Sequence, residues 1–335
     1  DKYLTDGIFA DRIGADFIKV KRLKNGHESF FVELFSFFDD GIWALVEAWR
    51  AFKNSIVWAY ITLARPRRWL KNGLLLTPLL FAGSAVGIEE VVAGLLALLA
   101  FSLAASSGYA INDIFDAPED RKHPTKSRRP VALGKISVTG AWVYAGLLVL
   151  ATAFTVSFIP ALIPWIIGYL ALTYTYSLFL KHVPVLEMIV VYVFYLTRVV
   201  AGGDVMGIAP SWWLLGIVLS CAVLVVSGKR YSESLRAVRR AVLTHYPRPF
   251  LTWLPFVGAS ATITLYVLYT IQSPHASIML FVSNIFVVFA VLWYLRVLFT
   301  EGVEDIERRL WTDAVLTLSL ILWGFSFLLG TYTLL

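Results

Sequence analysis

Acidic side chains are concentrated in one short stretch of the chain, at a spacing that suits metal binding. Asp113, Asp116 and Asp120 are three and four residues apart, so a helix presents them on one face, with Asn112 beside them. Carboxylates held this close repel one another unless a cation lies between them, and an all-oxygen ligand set favours a hard ion such as Mg²⁺. The alternative is a polar helix end wetted at a membrane interface. We predict that these four residues hold Mg²⁺ and are catalytic.

Basic side chains follow the acidic stretch immediately. The members of this run that we expect to bind phosphate are Lys126, Arg128 and Arg129. Acids followed by bases form a suitable site for a metal-bound polyanion, because its phosphates can bridge the two halves. Lys and Arg also mark the cytoplasmic side of membrane proteins, and that ordinary role is the alternative for part of the run.

The elements that carry these residues are predicted to cross a membrane. Hydrophobic residues make up 58% of the chain, more than is typical of soluble domains, and the mean hydropathy is +0.72. Apolar segments long enough to span the hydrocarbon core recur along the chain. We place nine of them, near 70–87, 91–111, 138–158, 161–180, 184–203, 211–228, 250–271, 276–298 and 313–333. The expected fold class is an all-α integral membrane protein with nine transmembrane helices.

Positive charge between these segments falls on one side only. The loops before the first segment and after the even-numbered segments carry Lys and Arg, whereas the loops after the first, third, fifth and seventh carry none. Because cytoplasmic loops are enriched in Lys and Arg, the acidic stretch and the basic loops are predicted to face the cytoplasm. We therefore expect a protein of the cell inner membrane, with a cytoplasm-facing polar cavity, its C-terminus outside and no nucleic-acid partner.

Further polar residues lie on the same predicted side and are expected to bind substrate. They are Lys71, Tyr176, Lys181, Arg198, Lys229, Arg230 and Glu233. Arg198 lies inside a predicted span, where a charge is costly, so we expect it to face the acids or phosphates of the acidic stretch. Lys229 and Arg230 follow an apolar run, and their alternative role is to anchor a helix end at the membrane surface.

Two motifs and the nine-span layout resemble the UbiA superfamily of intramembrane prenyltransferases, and the resemblance covers residues 65–335. The motifs are Asn-Asp-x-x-Asp-x-x-x-Asp at 112–120 and Tyr-Ser-x-x-Leu-Lys at 176–181. Ordinary members hold a second Mg²⁺ on a prenyl diphosphate with a second acidic motif after the sixth span. This chain has Gly-Lys-Arg-x-x-Glu at 228–233 instead. Together with Arg-Pro-x-x-Trp-x-Lys-Asn at 65–72 and His-Pro-Thr-Lys-x-x-Arg-Pro at 123–130, that departure is similar to the decaprenyl-phosphate phosphoribosyltransferase branch.

The resemblance to that branch implies a Mg²⁺-dependent pentosyltransferase. The reaction it implies moves 5-phosphoribosyl from phosphoribosyl pyrophosphate to a decaprenyl-type polyprenyl phosphate and releases pyrophosphate, for synthesis of a cell-envelope arabinose-type donor. Fixed bases suit such a reaction, because two anions must approach each other. The alternative is a conventional prenyltransferase that moves a prenyl chain to an aromatic or other acceptor. A transporter or flippase is a third hypothesis, and it should show an internal repeat; we find none that is persuasive.

The first part of the chain lies outside this resemblance. Residues 1–24 weakly resemble the C-terminal end of a HAD-type phosphatase domain, through Asp-x-x-x-Thr-Asp at 1–6. Two explanations compete: a truncated fusion with an upstream phosphatase as a partner, or chance. Residues 25–64 are predicted to form a linker and an interfacial amphipathic helix rich in tryptophan. Within the acidic motif, Pro118 removes a helical donor, so we expect a weakened turn that leaves metal coordination by Asp120 open.

Overall fold

The secondary structure is helical. The computed structural model describes residues 30–82, 86–235, 241–274, 276–303 and 305–332, and these residues contain no β-strand. The α-helices are α1 Phe30–Asn54, α2 Ile56–Ala64, α3 Thr77–Phe81, α4 Ile88–Asp120, α5 Val138–Ser157, α6 Ile163–Leu178, α7 Leu186–Val205, α8 Trp212–Ser234, α9 Arg248–Gln272, α10 Ile278–Thr300, α11 Ile306–Thr312 and α12 Ala314–Tyr332. Short 3₁₀ helices are Pro66–Leu76, Lys126–Arg128, Pro160–Leu162, Leu180–His182 and Ala241–His245.

Eight helices in the described residues are long and apolar enough to cross a membrane. They are α4 to α10 and α12, with α6 extended at its start by Pro160–Leu162. A helix satisfies its backbone N–H and C=O groups internally, which the hydrocarbon core requires. The prediction of an all-helical integral membrane protein is confirmed.

The segment predicted as the first span, 70–87, is not a continuous helix. Arg65 has left-handed backbone angles of φ 53° and ψ 56° where α2 ends, and the 3₁₀ helix Pro66–Leu76 and the short α3 follow. Pro66 and Pro78 stand at the starts of these two elements, where a missing N–H is tolerated. A crossing of the membrane by this composite segment, which would be the ninth, stays a prediction.

The irregular backbone of Pro66–Leu76 is packed between α4 and α7. On one side, Asn72 donates from its amide to Ser102 Oγ at 3.0 Å, and both groups are buried. On the other side, a Cβ atom added to Gly202 of α7 would lie 2.0 Å from the carbonyl oxygen of Leu75. Only glycine permits this approach. Protein therefore packs against this backbone from two sides, as non-helical backbone would require at membrane depth.

Helix α4 is the centre of one group of helices. It contacts α2, α5, α6, α7 and the 3₁₀ helix Pro66–Leu76. Small residues on its buried face let these neighbours approach closely. They are Gly94, Ala97, Ala100, Ser102, Ala104, Ala105, Ser106, Ser107 and Gly108. This packing fixes the end of α4, where the acidic stretch lies, relative to the elements around it.

Helices α8, α9, α10 and α12 form a second group with its own core. Buried side chains of Leu224, Ala259, Tyr294 and Leu316 meet there, one from each helix. Contacts between α7 and α8 join the two groups. The polar end of α8 is thereby brought towards the end of α4.

The last described helix also packs against the segment that precedes α4. The ring centroids of Phe81 and Phe327 lie 4.7 Å apart. The hydroxyl of Tyr332 donates to the carbonyl oxygen of Leu79 at 2.7 Å. Helix α12 therefore packs against α3.

Two helices, α1 and α2, occupy the region predicted as an interfacial helix. They meet at Ser55, whose side chain caps α2 by accepting the N–H of Trp58 at 3.2 Å. Ala59 and Leu63 of α2 are buried against Ala110 of α4, so the bundle includes residues before 65. The division of the chain at residue 64 stays a prediction. The phosphatase-like stretch at 1–24 lies outside the described residues.

Pro118 does not end α4, which continues to Asp120. The N–H of Arg121 still donates to the carbonyl oxygen of Ala117 at 3.2 Å. The proline lies in the last turn, where its missing N–H removes one helical hydrogen bond and little else depends on it. The acidic motif therefore remains on one helix face throughout.

Candidate active site

Asp113 and Asp120, two turns apart on α4, meet the same cation. The Nη1 atom of Arg129 lies 3.2 Å from Asp113 Oδ1 and 2.6 Å from Asp120 Oδ2. Arg65 donates to the same oxygen of Asp113. Both carboxylates are almost fully buried, and buried charges require such pairing. The acids and the basic run that follows them therefore lie side by side.

Arg65 reaches Asp113 from a left-handed backbone conformation. Such a conformation at a non-glycine residue costs about 1–3 kcal/mol, so the surrounding contacts must hold it. The guanidinium carbon of Arg65 also lies 5.1 Å from the ring centroid of Tyr109, within the range of a cation–π contact. The turn into Pro66–Leu76 thus places this guanidinium at the acidic face.

Asp116 faces a cation from another element. Lys181 Nζ lies 2.8 Å from Asp116 Oδ1 and 3.3 Å from Asn112 Oδ1. The amide of Asn112 donates to Asp116 Oδ2 at 2.7 Å. Lys181 belongs to the 3₁₀ helix Leu180–His182 between α6 and α7. The site is therefore assembled from α4, the loop after it and the loop between α6 and α7.

These contacts form a balanced group of charges, which we call the acid–base cluster. Its members are Asp113, Asp116, Asp120, Arg65, Arg129 and Lys181. Three carboxylates and three cations cancel formally. A ligand that contains both a metal ion and phosphates can exchange these partners, because the metal binds the acids while the phosphates bind the bases.

The donor set of the acid–base cluster fits Mg²⁺. All the atoms of the cluster that could coordinate a metal are oxygens. Carboxylate oxygens of Asp113 and Asp120 both contact one positively charged nitrogen of Arg129. Within the described residues, no group of three or more His, Cys, Asp and Glu side chains is arranged to hold an ion alone. Mg²⁺ needs only one or two protein carboxylates when waters and substrate phosphates complete its coordination.

A second group of bases lies beside the acid–base cluster, and we call it the second cationic cluster. It consists of Arg68, Lys71 and Lys229. The guanidinium carbon of Arg68 lies 5.3 Å from the ring centroid of Tyr109, and Lys229 is close enough to Arg68 and Lys71 for their charges to interact. Lys71 pairs with Glu307 at 2.7 Å. Within the described residues, neither Arg68 nor Lys229 has a direct ion pair, but Arg68 lies close enough to Glu307 and Asp305, and Lys229 to Glu233, for their charges to interact.

Two carboxylates at the start of α11 face the second cationic cluster. Glu307 is buried against Lys71. The side chain of Asp305 caps α11 by accepting the N–H of Arg308 at 3.3 Å. Partial burial raises the pKa of Asp305, but a hydrogen bond with Glu307, the cap and the charge of Arg68 outweigh it and lower the pKa to about 2. Asp305 therefore stays ionised at neutral pH.

The expectation that Arg198 faces the acidic stretch is wrong. Arg198 Nε donates to Asn72 Oδ1 at 2.7 Å, and Nη2 donates to the hydroxyl of Tyr169 at 3.0 Å. Nη1 donates to the carbonyl oxygen of Phe194 in the same helix. An amide, a phenol and a carbonyl thus satisfy this buried charge, and Arg198 ties α7 to α6 and to Pro66–Leu76.

Arg230 and Glu233 have partners other than the phosphate that the sequence predicts. Arg230 is 4% exposed, and its Nε and Nη2 atoms donate to the two carboxylate oxygens of Glu187 at 2.9 and 2.5 Å. Its Nη1 atom donates to Glu233 at 2.7 Å. Because Glu187 is fully buried, removing Arg230 from it would leave an uncompensated charge. This ion pair joins α7 to α8.

The remaining predicted residues lie around the clusters. Tyr176 has its ring centroid 6.1 Å from that of Phe194 and is near enough to Arg230 for an electrostatic interaction. Lys126 is half-buried and Arg128 is exposed, in the loop that also carries Arg129. A role of these side chains in phosphate binding stays a prediction.

Three residues of the site were not singled out from the sequence. Arg65 is the first residue of the Arg-Pro-x-x-Trp-x-Lys-Asn motif at 65–72, and Arg68 falls at one of its unspecified positions. Tyr109 lies four residues before Asp113, so helical spacing alone puts both on one face of α4. That spacing is a signal that could have identified it.

Comparison with known proteins gives a family and two curated relatives. The model of the UbiA prenyltransferase family matches residues 74–310. Decaprenyl-phosphate phosphoribosyltransferase of Mycobacterium tuberculosis (strain ATCC 25618 / H37Rv) is 36% identical over 230 residues, which cover 65% of this chain and 76% of that protein. Decaprenyl-phosphate phosphoribosyltransferase of Corynebacterium glutamicum is 30% identical over 287 residues, which cover 81% and 86% of the two chains.

A solved structure has a similar arrangement of helices. It is a UbiA homologue from Archaeoglobus fulgidus bound to GPP and Mg²⁺. The TM-score is 0.61 at 19% identity, over 81% of this chain and 98% of that one. At this identity the likeness concerns the fold.

Proposed function

The chain belongs to the UbiA prenyltransferase family, and from that membership we propose that it transfers 5-phosphoribosyl from phosphoribosyl pyrophosphate to a polyprenyl phosphate. It is a multi-pass membrane protein. The bond between ribose C1 and pyrophosphate breaks, its electron pair leaves with pyrophosphate, and an oxygen of the lipid phosphate forms the new bond to C1. Relatives at 36% and 30% identity that are named for this activity support the choice of donor and acceptor.

The observation that carries the proposal is a pair of cationic groups beside one acidic helix face. The acid–base cluster offers three carboxylates and three bases. The second cationic cluster adds Arg68 and Lys229, which interact with carboxylates through their charges but, within the described residues, without a direct ion pair. A reaction between a diphosphate donor and a phosphate acceptor needs positive charge at two places, because both reactants are anions.

The acidic face binds the diphosphate end of the donor. Asp113, Asp116 and Asp120, with Asn112 in support, are the residues that would hold Mg²⁺. When bound, Mg²⁺ neutralises pyrophosphate and so favours its departure. With the three acids engaged in this way, their basic partners Arg65, Arg129 and Lys181 would be free to bind phosphate oxygens. Lys181 and Arg129 then orient the pyrophosphate relative to C1 through charge-assisted hydrogen bonds.

The second cationic cluster binds a further phosphate, which is the lipid phosphate or the 5-phosphate of the donor. Arg68 and Lys229 offset its charge, with Lys71 beside them, and so lower the repulsion between the reactants. No side-chain nucleophile is required, because the acceptor phosphate is already an anion near neutral pH. The protein binds and orients the reactants, and the lipid supplies the attacking oxygen.

The end of α8 distinguishes this proposal from the conventional prenyltransferase alternative. That alternative needs a second acidic motif there to hold a second Mg²⁺. At 228–233 the chain has Lys229 and Arg230 instead, and Glu233 is paired with Arg230 at 2.7 Å. Positive charge on fixed side chains replaces the second metal in our proposal.

The proposal includes a place for the reaction in the cell. The site faces the cytoplasm from the inner membrane, because the basic loops on its side of the membrane carry the charge bias of cytoplasmic loops. The product, a lipid-linked phosphoribose, supplies a later step in synthesis of an arabinose-type donor for the cell envelope.

The test is incubation of the purified protein in nanodiscs with Mg²⁺ and one of two substrate pairs. The first pair is labelled phosphoribosyl pyrophosphate with a polyprenyl phosphate, and the second is a labelled prenyl diphosphate with an aromatic acceptor. We expect mass spectrometry of the lipid extract to show a phosphoribosylated polyprenyl phosphate from the first pair alone. Turnover of only the second pair would refute the proposal.

A further inference from the structure

The loop that carries Lys181 ends in a strained turn. Val185, the residue before α7, has φ 65° and ψ −51°, and the N–H of Leu186 donates to the carbonyl oxygen of Pro184 at 2.7 Å. This is a γ-turn with a positive central φ, a rare and strained form. A β-branched residue is an outlier at such angles. Strain of this kind persists only where surrounding contacts impose it, and it is concentrated at functional sites.

Tyr246 supplies the contact that holds this turn. Its hydroxyl accepts the N–H of Val185 at 2.5 Å and lies 3.5 Å from Glu187 Oε1. The phenol itself is firmly placed. Its ring is buried and stacks on Phe250 at 5.8 Å between centroids and 5° between planes, and it packs in one core with Met188.

The turn lies between Lys181 of the acid–base cluster and Glu187 of the buried ion pair with Arg230. Lys181 precedes Val185 by four residues and pairs with Asp116 at 2.8 Å. Glu187 follows it by two residues and holds Arg230 through both carboxylate oxygens. A change in the turn would therefore shift Lys181 relative to α7, whose position the buried ion pair fixes.

We propose that Tyr246 is a positioning residue, whose hydroxyl holds the γ-turn at Val185 and thereby keeps Lys181 beside the acidic face, where it binds pyrophosphate. Tyr246 acts through Lys181 and does not touch the substrate. The inference rests on the proposed function only in taking the ligand of Lys181 to be a diphosphate. Phosphoribosyl pyrophosphate and prenyl diphosphates share that group.

The test is a double-mutant cycle on the full chain in detergent, with Mg²⁺ and inorganic pyrophosphate as the probe in calorimetry. Tyr246→Phe keeps the ring and removes the hydroxyl, and we expect it to weaken binding about fivefold to tenfold, the size of one lost hydrogen bond. Lys181→Met should weaken binding more. Adding Tyr246→Phe to Lys181→Met should then have no further effect, because the residue through which Tyr246 acts is gone. Additive losses would overturn the inference.

Two further variants separate positioning from a general loss of structure. Tyr192→Phe is the matched control, because Tyr192 packs in the same core and its hydroxyl donates to Met188 Sδ at 3.9 Å rather than to the turn. We expect it to bind pyrophosphate like the wild type. Val185→Gly should restore affinity in the Tyr246→Phe background, since glycine adopts a positive φ without strain. Failure of this rescue would show that the hydroxyl does not act by holding the turn.

The two proposals fail in different ways. A wild type that binds pyrophosphate but does not use phosphoribosyl pyrophosphate refutes the proposed function, and the cycle still decides the role of Tyr246. A wild type that transfers phosphoribosyl, combined with additive losses in the cycle, refutes only the positioning role. A wild type that does not bind pyrophosphate refutes the inference, because Lys181 then has no such ligand.

Discussion

At the scale of single residues, the site depends on acids that already have cationic partners. Asp113 contacts both Arg65 and Arg129, and Asp116 contacts Lys181. In the proposed reaction, Mg²⁺ would compete with these bases for the carboxylate oxygens, and the bases would then bind phosphate. Exposed acids within residues 112–120 should not take part in metal binding.

Substitution of Asp113 tests the metal-binding role. We expect Asp113→Asn to lower kcat/KM on the order of 100-fold, because it removes a ligand of Mg²⁺ and a charge that balances two arginines. Steady-state assays over a range of Mg²⁺ concentrations measure the effect. Glu119→Gln is the control, since Glu119 is an exposed acid of the same motif, and it should retain activity. Equal losses in both variants would contradict the role of Asp113.

Substitution of Lys229 tests the second cationic cluster. Lys229→Met should raise the KM for the substrate whose phosphate binds there about tenfold, with a smaller change in kcat, because the phosphate is present in both ground and transition states. Separate titration of the donor and the polyprenyl phosphate identifies which one responds. Lys122→Met is the control, because Lys122 is exposed in the loop after α4. An unchanged KM for both substrates would exclude Lys229 as a phosphate ligand.

At the scale of elements, the buried ion pair between Glu187 of α7 and Arg230 of α8 stabilises the packing of these two helices. Glu187→Gln should lower the free energy of unfolding by about 3 kcal/mol, the lower end for loss of one buried partner, because Glu233 still pairs with Arg230. Thermal unfolding followed by tryptophan fluorescence measures this. The matched control is Glu301→Gln, which breaks an exposed pair with Arg309 and should cost about 0–1 kcal/mol. A midpoint unchanged by Glu187→Gln would contradict this role.

Elements with a simple periodic or compositional signal could be predicted from the sequence. Helices α4 to α10 and α12 follow from long apolar runs, and the face shared by Asp113, Asp116 and Asp120 follows from spacing alone. The break before α4 could not be predicted. It depends on the left-handed backbone angles of Arg65 and on the close approach of Gly202 to the carbonyl oxygen of Leu75. No local sequence pattern indicates either feature.

Side-chain partners far apart in the chain were the least predictable part of the site. Arg198 was correctly recognised as a charge that needs a partner, but its partner Asn72 is 126 residues away. Arg230 is predicted to bind phosphate because it lies among polar residues on the predicted cytoplasmic side, where ordinary family members have a second acidic motif. Its pairing with Glu187 depends on how α7 and α8 pack, which charge order along the chain does not specify.

At the scale of the whole molecule, the balanced charges of the acid–base cluster predict coupled binding of metal and diphosphate. Inorganic pyrophosphate should bind at least about tenfold more tightly with Mg²⁺ than with EDTA, because each ligand takes partners that the other releases. Calorimetry on the wild type measures this dependence. The Mg²⁺ dependence of pyrophosphate affinity should be largely lost in Asp113→Asn. Equal affinity with and without Mg²⁺ in the wild type would refute the coupling.

The contact of α12 with α3 bears on how the protein is made. Residues 77–81 leave the ribosome long before residues 314–332. The contacts of Phe81 with Phe327 and of Leu79 with Tyr332 can therefore form only when the bundle is complete. During most of translation the early segment therefore lacks the helix that packs against it. We expect a nascent chain truncated before residue 314 to be cleaved by proteases at this segment more readily than the finished protein.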